Sequence, residues 1–252
     1  MFRALHRACQ MLQSHLAERS DAPFHEYYVR EAERLLNRGV AHPTLGGQGD
    51  GKHLNQATFQ EAGVSWFRIL KGEGLRPHHV CVDYGCGSLR VGQHLIRHLE
   101  PGHYRGLDVT RTFIDLGVEL MEPEVMAEKR PHLEVISPEA LKAARAVEPD
   151  FVISLGVLQH VCPRELPDYL GNLLRITGPR TRTFVKARFS SRPKKISWAT
   201  WVHDPDRIRE IVRAGGGTVE TFQSRTFHMD AMNGEVDSIT LKITRPEPET
   251  AR

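Results

Sequence analysis

The residues whose types and spacing could do chemistry lie in two short stretches. Asp83-Tyr84-Gly85-Cys86-Gly87-Ser88-Leu89-Arg90 follows the apolar run Val80-Cys81-Val82, so a carboxylate stands at the end of a buried strand and a glycine turn leads into a helix. Glycines let a backbone approach a ligand closely, and a helix N-terminus offers unpaired N–H groups. Asp108 lies 21 residues beyond Gly87, at the end of Tyr104-Arg105-Gly106-Leu107. One helix and one strand fill that interval, which returns a carboxylate to the side of the glycine turn. There its two oxygens can accept two hydrogen bonds. Two common users of glycine turns fit poorly. The dinucleotide pattern G-x-G-x-x-G/A wants a small residue where Arg90 stands. Gly46 to Lys52 spells G-x-x-x-x-G-K, but His53 replaces the magnesium-binding hydroxyl and no apolar strand leads into it, so a loop is expected there.

Other side chains suit an acceptor site. His160 follows the apolar run Phe151 to Leu155, and His203 precedes a helix capped by Asp204; a histidine is the commonest general base near neutral pH. His25 and Tyr28 lie in the N-terminal helical region, and Trp198 and Trp201 flank Ala199-Thr200. All four are candidate acceptor contacts, and the tryptophans equally suit packing under the Asp204 helix. His94 and His98 are four apart on a helix but have no third ligand nearby in sequence, so no metal site is expected.

The elements that must position these groups alternate along the chain. Residues 1–40 read as helices, broken near Ser20-Asp21-Ala22-Pro23. Phe2, Leu5, Cys9, Leu12 and Leu16 form an apolar helical stripe, suited to docking on the body or on a second subunit. Arg3, Arg7 and the lack of acids before Glu18 also fit a transit peptide, but docking is the expectation. A helix is expected over 56–71. From His79 short apolar runs alternate with helical patterns, which implies a parallel, doubly wound sheet. Strands are expected at 80–82, 104–107, 133–136, 151–155 and 183–187, then at 218–222 and 238–244, antiparallel at least in part.

Composition agrees with an ordinary α/β domain plus an appendage. The chain has 252 residues, 40% hydrophobic and 26% charged, with a net charge of +3. Its basic residues are scattered, which argues against nucleic acid as a partner. No run approaches the ~20 apolar residues of a membrane span, so no membrane partner is expected. Cys9, Cys81, Cys86 and Cys162 show no framework spacing, as in a reduced cytoplasmic protein.

Together the motifs resemble those of the class I, Rossmann-like S-adenosylmethionine-dependent methyltransferases, of the bacterial small-molecule type. Asp83 to Arg90 resembles their first motif, with Leu89 where many members carry a third glycine. Tyr104 to Asp108 looks like their second strand ending in the ribose-binding acid. Asp150-Phe151-Val152-Ile153-Ser154-Leu155-Gly156-Val157-Leu158-Gln159-His160 resembles their fourth-strand motif. The resemblance implies a mostly parallel seven-stranded α/β sheet with an antiparallel C-terminal strand, over residues 55–247. Residues 1–54 would be a helical extension or lid with its Gly-rich loop, and 248–252 a tail. It implies S-adenosyl-L-methionine as cofactor, S-adenosyl-L-homocysteine as product, and Asp83, Gly85, Cys86, Gly87, Arg90, Asp108, Val109, Leu155 and Gly156 as its binding residues. A small-molecule acceptor, methylated at oxygen rather than nitrogen, and a homodimer through the N-terminal helices complete the expectation. A nucleic-acid methyltransferase is the alternative, but Ser154-Leu155-Gly156-Val157 stands where an N/D-P-P motif would be. A second alternative is a non-catalytic binding protein.

Overall fold

A computed structural model describes residues 2–38, 56–61 and 63–246. The Gly46–Lys52 loop, the expected boundary at 54/55 and the 248–252 tail lie outside the described residues. Five strands run parallel: β1 (Cys81–Tyr84), β2 (Tyr104–Asp108), β3 (His132–Val135), β4 (Phe151–Leu155) and β5 (Arg182–Phe189). With β8 (Thr218–Met229) and β9 (Gly234–Thr244) they form one seven-stranded sheet, ordered β3-β2-β1-β4-β5-β9-β8. β9 runs antiparallel to both its neighbours, as expected of the C-terminal strand. The two central strands carry near-continuous apolar runs because helices cover both faces. On one face α8 (Pro138–Ala146), α9 (Leu166–Ile176) and α10 (Pro205–Ala214) bury Leu141, Leu170, Leu173 and Ile208. On the other, α4 (Val64–Gly72) and α5 (Gly92–His98) contribute Leu70, Leu95 and Ile96.

The order of strands fixes where a ligand can sit. β1 neighbours both β2 and β4, so the chain leaves the sheet in opposite directions at their C-terminal ends and opens a crevice there. The glycine turn, Asp108 and the segment after Leu155 all border that crevice.

Several elements differ from the sequence expectation. The single helix over 56–71 is two, α3 (Gln56–Glu61) and α4. Gly63 separates them at φ 81°, and a β-carbon there would lie 2.2 Å from the Arg90 carbonyl oxygen. The break lets α4 come against the helix that follows the glycine turn. β8 spans twelve residues rather than five, because its outer half is polar and exposed and carries no alternation to read. A short hairpin, β6 (Lys194–Ser197) with β7 (Thr200–Val202), and α7 (Pro123–Lys129) were not expected.

The N-terminal helices are α1 (Phe2–Glu18) and α2 (Phe24–Leu36). α2 buries Phe24, Tyr28 and Ala32 in a small core with Phe113, Cys162, Ala199 and Trp201. Three residues of the α1 stripe do not dock on the body. Gln10 and Ser14 face inward, while Cys9, Leu12 and Leu16 are exposed. Polar contacts hold the inner face. Gln10 donates to Glu31 at 2.7 Å, Ser14 donates to the Trp198 carbonyl, and Trp201 Nε1 donates to Glu18 at 3.0 Å. Lys195 completes the seam, 3.2 Å from Glu18 and over the rings of Trp201 and Phe24.

Candidate functional site

The glycine turn is built by hydrogen bonds between β1 and β2. Gly85 N and Cys86 N both donate to the Leu107 carbonyl, at 2.7 and 3.0 Å. Gly85 and Gly87 take φ of 88° and 53°, a region that favours glycine. Gly87 N then donates to Asp108 Oδ2 at 2.8 Å, and Thr110 N to Asp108 Oδ1 at 3.3 Å. Asp108 is therefore aimed at the turn by two backbone donors. Asp83 accepts a hydrogen bond from Tyr104 Oη at 2.9 Å. Both carboxyls are buried, and desolvation raises Asp83 to about 7 and Asp108 to about 6. The Tyr104 hydrogen bond and the nearby Arg90 guanidinium oppose the rise at Asp83; backbone N–H donors oppose it at Asp108.

These groups open onto a cavity of about 940 Å³. Every expected cofactor residue borders it: Asp83, Gly85, Cys86, Gly87 and Arg90 on one side, Asp108 and Val109 on the second, Leu155 and Gly156 on the third. Val157 leans across the turn, close enough that a β-carbon on Gly85 would meet it at 2.3 Å. Val135 and Ile136 form the wall beyond β3. The volume is large enough for a nucleoside-sized ligand and a second small molecule.

α2 borders the far end of the cavity with His25 and Tyr28, and Tyr28 lies against His160. Tyr28 is buried, with ring centroids 5.8 Å from His160 and 5.7 Å from Trp198. Burial pushes its phenol well above the ordinary range, so it stays protonated. His160 Nδ1 lies 2.6 Å from the Ala199 carbonyl, which can only accept. Nδ1 therefore carries the hydrogen and Nε2 the lone pair, an assignment made from the hydrogen-bond partners. Gln159 Nε2 donates weakly to that atom at 3.3 Å. Burial lowers the His160 pKa, which keeps the ring neutral and able to take a proton.

Three expected site residues do not reach the cavity. His203 is buried behind it, with Nε2 3.0 Å from the Leu158 carbonyl, and burial lowers it to about 4. Its ring is a strut for the turn that carries His160. Trp198 and Trp201 pack against α2 rather than line the pocket: Trp198 stacks on Tyr28 and meets Tyr27 edge-on, and Trp201 meets Phe24 edge-on. The reason is the β6–β7 hairpin, which turns both indoles toward the underside of α2.

The structure also adds residues. Arg164 donates to the carbonyls of Ser20, Ala22 and Ala17, and so holds the α1–α2 turn. Glu165 accepts from Phe24 N and caps α2. At the other end, Glu33 Oε1 accepts from Thr110 Oγ1 at 3.0 Å and Thr112 Oγ1 at 2.8 Å, beside Asp108. No local sequence signal marks Glu33, because its partners are 77 and 79 residues away.

No protein-family model matches the chain, and no curated protein matches it. Solved structures match in fold. The YcgJ protein from Bacillus subtilis superposes with a TM-score of 0.56 at 8% identity, over 73% of this chain and 99% of that one. Magnesium protoporphyrin IX methyltransferase from Synechocystis PCC 6803, with S-adenosylhomocysteine bound, gives 0.54 at 17% identity, over 75% and 83%. Phosphoethanolamine N-methyltransferase 2 from Haemonchus contortus, in complex with phosphomonomethylethanolamine and S-adenosylhomocysteine, gives 0.56 at 14% identity, over 73% and 53%. At these identities the likeness establishes a shared fold, that of S-adenosylmethionine-dependent methyltransferases.

Proposed function

We propose that this chain binds S-adenosyl-L-methionine and transfers its methyl group to a small-molecule acceptor, at oxygen rather than nitrogen. The observation that carries the reading is the convergence of Asp83, the Gly85–Gly87 turn and Asp108 on one cavity, where Gly87 N donates to Asp108. The fit is chemical. Asp108 presents two carboxylate oxygens for a ribose diol, Asp83 a carboxylate for an ammonium, and the glycines leave room for a methionyl chain. The fold-level relatives crystallised with S-adenosylhomocysteine support the same ligand.

When bound, S-adenosylmethionine supplies a methyl group already activated by a sulfonium. What remains for the chain is alignment and proton removal. Tyr28, Val29 and Val161 wall the acceptor end, and Pro23 and His25 narrow its mouth. His160 Nε2 takes the proton from an acceptor hydroxyl, with Ala199 fixing the tautomer that allows it. An acceptor hydroxyl must lose its proton to leave a neutral ether, and the neutral, buried ring can take it.

Calorimetry with S-adenosylhomocysteine and with NADH tests the reading. Saturable binding of the first and none of the second is expected; the reverse overturns it.

A further inference from the structure

Among the described residues, the exposed large apolar side chains are Leu12 (61%), Leu16 (63%) and Val135 (41%). Val135 borders the main cavity, but Leu12 and Leu16 serve nothing described above. They stand one turn apart on α1 with the exposed Cys9, on the side turned away from Gln10 and Ser14. Beside them α1 and α2 enclose a second cavity of about 390 Å³, bordered by Gln10, Gln13, Arg30, Glu31, Arg34 and Arg38, three arginines against one carboxylate. The three arginines recur every fourth residue and share one face of the chain leaving α2. Glu31 pairs with Arg34 at 2.5 Å. Arg30 and Arg38 form no side-chain hydrogen bond or ion pair among the described residues. An apolar ridge thus runs beside a basic hollow, an arrangement that matches the layering of a bilayer surface.

We propose that this face docks the N-terminal helices on an anionic phospholipid surface, with phosphate headgroups in the arginine-lined hollow and Leu12 and Leu16 at the acyl boundary. The absence of a membrane-spanning run in the sequence does not bear on this, because docking is in the plane of the surface. Among the described residues no helix is long and apolar enough to cross a membrane, so the contact is peripheral. A second copy of the chain fits the face less well. Two leucines and a cysteine fall far short of the ~800 Å² that each partner buries in a stable interface. A two-fold pairing would also bring the basic hollows of the two copies near each other. The proposal stands independently of the methyl-transfer reading.

Co-sedimentation of the full chain with vesicles tests it, comparing phosphatidylglycerol–phosphatidylcholine mixtures with phosphatidylcholine alone. Binding is expected on the anionic vesicles, about ten-fold above the neutral ones, and it should fall as salt is raised. Leu12→Ser with Leu16→Ser, and separately Arg30→Gln with Arg38→Gln, should each lower it about ten-fold with an unchanged unfolding midpoint. Equal binding to both vesicle types, or wild-type binding by both variants, overturns the proposal. So does a dimer seen by light scattering that the leucine substitutions dissociate, which would assign the face to a second copy. If the leucine variant fails to fold, the arginine variant and the salt series still decide.

Discussion

Leu89 turns through φ 59° with its side chain fully buried against Gly117 of α6 (Arg111–Glu119). Leu89 stands where the motif that this stretch resembles often has a third glycine, and its backbone is left-handed. A non-glycine residue there costs roughly 1–3 kcal/mol. Burial of the leucine side chain offsets that cost. The packing needs a bare partner: a β-carbon on Gly117 would lie 2.6 Å from the Ser88 carbonyl carbon and 2.9 Å from Leu89 Cγ.

Gly117→Ala should therefore push the Ser88–Leu89 backbone away from α6. A loss of about 1–3 kcal/mol in unfolding free energy is expected, as for other overpacked cores. Denaturant titration checks it, and wild-type stability would show that the turn yields freely.

Asp108→Ala should weaken S-adenosylhomocysteine binding by about 1.5–3 kcal/mol, the size of a charge-assisted hydrogen-bond loss. Calorimetry measures it directly. Unchanged affinity would remove Asp108 from the ribose site.

The raised carboxyls make stability and binding depend on pH. Asp83 is pushed to about 7 and Asp108 to about 6 in the folded chain, above their unfolded value of about 3.9. A folded pKa above the unfolded one means that the folded state holds the extra proton. The contribution of this pair to stability is thus full below about 4, and is lost as pH rises through about 6 to 7. Ligand binding runs the other way. An ammonium paired with Asp83 requires the ionised carboxylate, so affinity for S-adenosylhomocysteine should climb between about pH 5 and 7 and then level off, with proton release below 7. Calorimetry in two buffers of different ionisation enthalpy reads both effects; a flat profile would count against the pairing.

His160→Ala should abolish methylation of a hydroxyl acceptor while leaving S-adenosylhomocysteine affinity within about two-fold, since the ring faces the acceptor end. A pH–rate profile on the wild-type chain should rise with a histidine-like limb that lies below the ordinary value, because burial lowers this pKa. Retained turnover in the variant would reassign the base.

Glu33→Ala should loosen α2 from the loop after Asp108. Two hydroxyl hydrogen bonds to one carboxylate are lost, worth about 1–3 kcal/mol at a partly exposed site. Faster amide exchange along α2 is expected; exchange that changes only elsewhere would show that Glu33 does not hold the lid.

How much of this was legible beforehand differs by scale. Asp83, the two glycines and Asp108 could be read because a strand, a turn and one further strand are local features with fixed lengths. The parallel strands could be read because buried strands are apolar throughout. The outer half of β8, from Gln223 to Met229, could not, since its pairing with β9 replaces the periodic signal. Nor could the inward side of α1. Its stripe pointed to Leu12 and Leu16, yet the bond from Ser14 to the Trp198 carbonyl and the bond from Trp201 to Glu18, each spanning more than 180 positions, chose the opposite face.

The sequence by itself determined the strand–helix alternation, the glycine turn and the two carboxylates beside it, because each depends on residues close together in the chain. Only the tertiary structure decided which histidine borders the cavity, which wall the tryptophans support, and that Arg164, Glu165 and Glu33 hold α2 over the cavity. Those outcomes depend on side chains brought together across the sheet's crevice, where packing and burial rather than spacing select the partner.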